Sequence, residues 1–390
     1  MPVKIPLNFY LTTRDTPILP DSDIWHQPLP TSRLHLGPTD EKNYENTISY
    51  GDYLSAVGRF LENDNYRVVM TALAHGSRGT ATAEQVSGLA VLLVKHGEFY
   101  HPARMVIETE ADAYAFVVNG AVSDVGRDHI TGEFKLLAGI YEQFDTPVVP
   151  RVFHLGEIEI ANGGVIPMFS AEWFDGFCEF HLTGEFPDNR SNVIVWENDE
   201  STYFLTREQA LDLYGKVAFT LTTAYNFYTF EHISAWHHAA GDFIIKPLDS
   251  TQVDLRLITV RNYTPLIDNP SPGPADLIEG LLLFLIKLSI RSRLDRLDGT
   301  GDLGWAEDYT LKGTLDGFFR GLDVMAAKMD LPVDFADQFK NVLQCYAPET
   351  LQTLFTAIVD KIPASSPEHG FLLERIEGHA ALFGSILASD

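Results

Sequence analysis

The chain changes character once, close to Trp173, and that change limits its folding options more than any other feature. Before it, short apolar runs are cut by turns. Leu89 to Val94 is a continuous apolar run, and Lys95-His96-Gly97-Glu98 supplies the turn after it. Ala103 to Ile107 and Tyr114 to Val122 read as a second and a third strand. Arg127 to Phe144 then places Ile130, Phe134, Leu137, Ala138 and Tyr141 on one helix face, and Pro147 and Pro150 close it. Arg151 to Ile160 and Val165 to Trp173 are two more strands, split by Asn162-Gly163-Gly164, a hairpin signal. The order is strand, strand, strand, helix, strand, strand.

Beyond Trp173 helices take over. Asp175 to Asn198 is a connection holding one strand, Val193 to Trp196. Thr206 reads as an N-cap with Glu208 and Gln209 in the first turn, opening a long helix from Arg207 to Glu231. Phe243 to Lys246 and Val253 to Val260 form a hairpin around Pro247-Leu248-Asp249-Ser250. Asp276 to Leu297, Tyr309 to Met329, Asp334 to Cys345, Glu349 to Ile362 and Glu368 to Leu387 read as helices. At the other end, Pro17, Pro20, Pro28, Pro30 and Pro38 mark the first forty residues as an extended surface arm, followed by a short helix from Ile48 to Glu62. The expectation is a bilobal α+β fold. It has an arm and helix over residues 1–86, a small five-stranded lobe with one helix over 87–174, and a larger helical lobe over 175–390. A cleft between two lobes is a usual place for a ligand.

Charge narrows the ligand. Of 390 residues, 28 are Lys or Arg and 54 are Asp or Glu, a net charge of −26. Such a chain repels nucleic-acid phosphates and anionic lipid head groups, and it has no Lys/Arg cluster to offset this, so neither nucleic acid nor membrane is expected as a partner. Two distant cysteines, Cys178 and Cys345, give no disulfide framework and fit a reducing compartment. Met1 to Tyr10 lacks the form of a signal peptide, and the apolar run Leu281 to Ile290 is interrupted by Lys287 and far short of the ~20 residues a membrane span needs. A soluble, cytoplasmic protein is expected.

Three segments carry chemistry. Trp236-His237-His238-Ala239-Ala240-Gly241-Asp242-Phe243 follows the long helix and precedes a strand. Gly132-Glu133-Phe134-Lys135-Leu136-Leu137 lies in the helix after the third strand, and Ser170-Ala171-Glu172-Trp173-Phe174-Asp175-Gly176 lies between the lobes. Together with the element order, these residues resemble the protein-kinase-like superfamily, in its aminoglycoside-phosphotransferase and choline-kinase branch, over Ser87 to Leu387. The resemblance implies that Asp242 orients the acceptor hydroxyl, with His238, four residues earlier, in support. It makes Glu133 the acid that pairs with a strand cation, and sets Glu172 and Trp173 beside a nucleotide base. ATP and Mg²⁺ are the implied cofactors if the site is active.

Several family positions are altered. Phe116-Val117-Val118-Asn119-Gly120 contains no Lys, which leaves Lys95 or Arg104 on neighbouring strands to meet a phosphate. The turn Lys95 to Phe99 has one Gly, too few to wrap backbone N–H groups around a phosphate. Pro247 stands where the family has a metal-binding Asn, and Arg261 or Asn262 where it has a metal-binding Asp. Asp249 and Asp254 are the nearby carboxylates for a metal, while Arg261 can hold a phosphate or carboxylate directly. The functional expectation is a kinase-like protein with a degenerate site, an atypical ATP-dependent phosphotransferase acting on a small-molecule hydroxyl. The alternative is a pseudokinase-type protein that binds a small molecule, a nucleotide or a protein partner without transfer. His232, His237 and His238 admit a metal site, or the plainer reading of a polar helix end. Arg291 and Arg293 admit an anion site or a salt-bridged helix end.

Overall fold

The computed structural model describes residues 4–11, 15–30, 48–97, 99–144, 147–161, 163–197, 201–234, 236, 241–299 and 301–389. It forms two compact units, Met1–Asp175 and Gly176–Asp390, in a mixed α+β architecture.

Unit 1 contains β1 (Leu7–Leu11), α1 (Tyr50–Gly76), β2 (Val86–Leu93), β3 (His101–Thr109), β4 (Ala113–Gly120), α2 (Asp124–Tyr141), β5 (Val152–Glu159) and β6 (Val165–Glu172). Its sheet runs β1-β2-β3-β4-β6-β5. The sheet therefore has six strands, not the five expected. The extra strand, β1, sits inside the Pro-rich arm and pairs in parallel with β2, Leu7 opposite Leu89. Its signal is the alternation Leu7, Phe9, Leu11, which the surrounding prolines obscure.

The helix expected over Ile48 to Glu62 also extends further. Ser49 and Asp52 form a capping box at its start, as the residue types favour. The helix breaks at Asn63 to Tyr66, where Asp64, Asn65 and Tyr66 have positive φ, and then resumes to Gly76. Asn and Asp tolerate that left-handed conformation better than most residues. Both halves bury apolar faces against the sheet. Tyr53, Leu54, Val57, Phe60, Val69 and Leu73 share a core with Leu89, Val91, Met105, Phe116 and Met168. The helix expected in residues 1–86 is thus part of the same core as the sheet.

Unit 2 opens with an antiparallel sheet of β7 (Glu179–Leu182), β8 (Val193–Trp196) and β9 (Thr202–Phe204). Then come α3 (Arg207–Thr223), β10 (Glu231–Ser234), the hairpin β11 (Phe243–Pro247) and β12 (Val253–Leu257), β13 (Asn262–Pro265) and α4 (Pro274–Arg293). The pair β14 (Leu294–Arg296) and β15 (Leu303–Trp305) precedes α5 (Tyr309–Lys328), α6 (Phe335–Gln344), α7 (Pro348–Val359), α8 (Pro367–Leu373) and α9 (Ile376–Ser389). Thr206 caps α3 with the expected box, its hydroxyl accepting from Gln209 N at 3.0 Å. The helix stops at Thr223, earlier than the periodicity suggests. Asn226 ends it locally, its side-chain oxygen accepting from the backbone N–H of Tyr228 and Thr229.

The closest packing in unit 2 is between α3 and α5. Gly313, Gly317 and Gly321 recur every four residues along one face of α5. A Cβ at Gly317 would lie 1.9 Å from the Gly215 carbonyl oxygen, and one at Gly313 would lie 2.3 Å from that of Leu211. The two backbones approach to a distance only glycine permits. Among the described residues, no helix is long and apolar enough to cross a membrane.

Buried histidines make the fold sensitive to acid. Burial first, then neighbouring His96, pushes His101 down to about 4. Burial first, then Lys287, pushes His232 down to about 4. Burial, with Arg293 alongside, holds His379 well below its ordinary 6.5. These imidazoles are neutral when folded and take up protons when unfolded, so stability is greatest above pH 6.5 and falls as pH drops toward 4. His101 and His232 should each remove roughly 3 kcal/mol by pH 4. Urea unfolding at pH 7 and pH 4.5 should show the loss, and His101→Gln and His232→Gln should flatten it. An unchanged slope in both variants would show that these histidines do not set it.

Candidate functional site

In unit 2 the carboxylate singled out by the sequence is held at the base of a hairpin. Gly241, at φ +82°, turns the chain into Asp242, and β11 begins at the next residue. The backbone carbonyl of Asp242 accepts from Ile258 N at 2.9 Å, which ties it to the end of β12. Its side chain is 6% exposed, and one oxygen, Oδ1, accepts from Arg261 Nη1 at 2.7 Å. Arg261 lies a few residues past β12, where the resemblance would put a metal-binding acid, and its side chain keeps 23% exposure. A charge-assisted bond of this length to a buried carboxylate is among the stronger polar contacts a protein makes.

The carboxylates considered for a metal lie elsewhere. Asp249 sits in the β11–β12 turn, where its Oδ1 accepts from Thr251 N at 2.7 Å and from Gln252 N at 2.9 Å. These bonds, led by the Thr251 N–H, hold its carboxyl below the usual range. Asp242 adjoins the Phe243–Leu257 end of the hairpin and Asp249 the Pro247–Val253 end. Four residues of strand, ~14 Å, separate those ends. Magnesium binds its oxygens at about 2.1 Å, so these two acids cannot share one ion. Asp254 forms an ion pair with Arg256, whose guanidinium lies 5.0 Å from the centre of the Phe177 ring. Among the described residues, no three His, Cys, Asp or Glu side chains are grouped to hold a metal. His232 lies in β10 with Nδ1 3.0 Å from the Thr264 carbonyl oxygen. His237 and His238 lie outside the described residues.

Unit 1 holds the other candidates. Glu133 is 1% exposed on α2. Arg104 of β3 stands opposite Val117 of β4, which stands opposite Ala171 of β6. Residues on one rung share a face of a sheet, so Arg104 emerges on the face of Val117, one strand away from the Val117 to Asn119 stretch near which the resemblance expects a lysine. Its Nη2 donates to Asp175 Oδ1 at 2.8 Å, and its guanidinium carbon lies 5.4 Å from the Trp173 ring centre. Glu172 faces other partners. Its Oε2 accepts from Arg151 N at 3.3 Å, and its Oε1 is 3.4 Å from His75 Nε2. The structure thus joins Arg104 to Trp173 and not to Glu172.

Lys95 is half-buried in the β2–β3 loop. That loop is fastened on both sides. Tyr50 Oη of α1 is 3.0 Å from His96 Nε2, and a Cβ at Gly126 of α2 would meet the Phe99 carbonyl oxygen at 2.1 Å. Three partners were missed from sequence: Asp175 for Arg104, Tyr50 for His96, and Arg261 as a ligand of Asp242 itself. Each joins residues distant in the chain. The only advance signal is an acid or an aromatic in a segment already of interest, as Asp175 is.

No family model matches the chain, and no curated protein matches it. Among solved structures it is similar to that of the Neurospora crassa PAN3 pseudokinase, at 12% identity over 84% of this chain and 71% of that one, with a TM-score of 0.28. A score this low carries no conclusion about the fold or the site.

Proposed function

We propose that this chain is a kinase-like protein with a degenerate site, one that binds an anionic small molecule such as a nucleotide, or a partner, without transferring phosphate. One observation carries the reading. Arg261, at or beside the place where the resemblance would put a metal-binding acid, donates to Asp242 at 2.7 Å, so the carboxylate that would aim an acceptor hydroxyl is bonded to a guanidinium. The order of elements supports the kinase-like part: three strands, a helix and two strands in one sheet, then a helix, a hairpin and further helices. Arg104, on the rung of Val117, is the cation for a ligand's phosphate, and Asp175 is its counter-ion when no ligand is bound.

A second reading is atypical ATP-dependent transfer to a small-molecule hydroxyl, with Arg261 holding phosphate in place of a metal. The 23% exposure of Arg261 favours it, since a ligand can reach the guanidinium. Thermal shift with ATP, with and without Mg²⁺ or Mn²⁺, separates the two. The first reading expects a shift that needs no metal, equivalent to about 2.7 kcal/mol at a hundredfold excess over Kd. It also expects the shift to shrink in Arg104→Ala. A shift that requires metal, together with phosphate transfer abolished by Asp242→Ala, would sink the first reading and establish the second.

A further inference from the structure

We propose that unit 1 carries a groove for a monoanionic amphiphile, a free medium-chain carboxylate, between β1 and the first half of α1. Two periodicities meet there. Leu7 and Phe9 lie on one face of β1, two residues apart, while Gly58, Arg59 and Glu62 lie on one face of α1. The space between them is a groove of about 430 Å³, in the size range of small-molecule sites. It exists because the helix offers no side chain at Gly58. A Cβ there would lie 3.2 Å from Leu7 Cδ2 and 3.4 Å from Phe9 Cζ, so a larger residue would fill the floor. Leu7 and Phe9 are only partly buried, which leaves apolar wall open to a ligand.

The charges at the groove select the head group. Lys4 and Arg59 are both exposed, and neither makes an ion pair with a described residue. Both line the groove, so an anion brought there meets two cations. Glu62 is the one carboxylate in the lining, so the groove carries +2 − 1 = +1. That balances one carboxylate and would leave a phosphate dianion uncompensated. The other sizeable groove lies in unit 2, where Glu208, Asp212, Asp316, Asp323 and Asp337 outnumber Arg320 and Lys340, a net negative lining that disfavours anions. The amphiphile groove is built from unit 1 residues and does not depend on the kinase-like reading.

The test is titration of the full chain with decanoate below its micelle concentration, followed by calorimetry and ligand-observed NMR. A fully buried methylene is worth about fourfold in affinity, and a half-open groove about twofold. Decanoate should therefore bind about 16-fold tighter than hexanoate. Methyl decanoate, which lacks the charge, should bind about tenfold weaker than decanoate, and Arg59→Glu should weaken decanoate by at least about tenfold. Gly58→Leu should abolish binding. Because that variant can also unfold the unit, the exposed pair Lys4→Glu and Arg59→Glu carries the test alone. Failure of decanoate to bind at millimolar concentration overturns the proposal, as does affinity that ignores chain length or survives in the double charge variant. A mass that rises with protein concentration and is lost in Gly58→Leu would assign the groove to a second copy of the chain, and likewise overturns it.

Discussion

Gly317→Ala is expected to lower the stability of unit 2 by about 3 kcal/mol, among the largest effects of any single methyl group in the chain. The added carbon would lie 1.9 Å from the Gly215 carbonyl oxygen, and a main-chain oxygen in a helix cannot swing aside as a flexible side chain does. Relief requires α3 and α5 to move apart, loosening every contact along the crossing. Helix propensity works the other way, since alanine is favoured over glycine by up to about 1 kcal/mol. The clash should outweigh that gain. Gly378→Ala in α9 is the control, because nothing lies within 4 Å of its Cβ position. It should be neutral or stabilising. Urea denaturation of both variants decides the matter, read on unit 2 because two units need not unfold in one transition. Equal midpoints for the two alanines would refute the close approach.

Arg293→Met should cost a similar amount, again about 3 kcal/mol. Arg293 is 1% exposed at the end of α4. Its Nε and Nη2 donate to the Ala306 carbonyl at 3.0 and 2.6 Å, and Nη1 lies 3.2 Å from His379 Nδ1. A guanidinium can only donate, so His379 accepts at Nδ1 and carries its proton on Nε2, 3.1 Å from Ser289 Oγ. Methionine fills the volume but leaves a buried carbonyl and a buried imidazole nitrogen without their donor. The ion pair itself matters less. Its partner Asp308 is 81% exposed, and Asp308→Asn should cost under about 1 kcal/mol. His379→Phe in the Arg293→Met background should recover part of the loss, since one orphaned acceptor is removed. Thermal unfolding of the parent chain, Arg293→Met, His379→Phe and the double variant measures the coupling. If Arg293→Met melts with the parent chain, the network does not hold α9 in place.

Sequence periodicity located most elements because each buries one face. Val193–Trp196 and the capping of α3 by Thr206 came out as read. What it missed shares a physical cause. β1 is short, and its burial depends on a partner strand far along the chain, so its alternation looks like part of an extended arm. The second half of α1 follows a left-handed turn that no helical period can bridge. The short pairs β10–β13 and β14–β15 are fixed by neighbours rather than by their own composition.

The candidate site was legible in a different way. The kinase-like resemblance drew attention to Asp242, Arg261 and Arg104, but pairing depends on where side chains end, not on where they are attached. Arg293 shows the point from the other direction. The alternation of charge around it suits a solvated helix end, yet its guanidinium is enclosed, with Trp305 4.7 Å beneath it.

The parallel pairing of β1 with β2 also sets the order in which unit 1 can be assembled. Leu7 cannot find Leu89 until the whole of α1 lies between them, so the ladder closes over a long loop that includes a helix. Closing such a loop costs entropy that only later contacts repay, whereas the hairpin of β3 with β4 closes across a few residues. On a growing chain, β1 emerges long before its partner is seated beside it, and until then its apolar stripe stays uncovered.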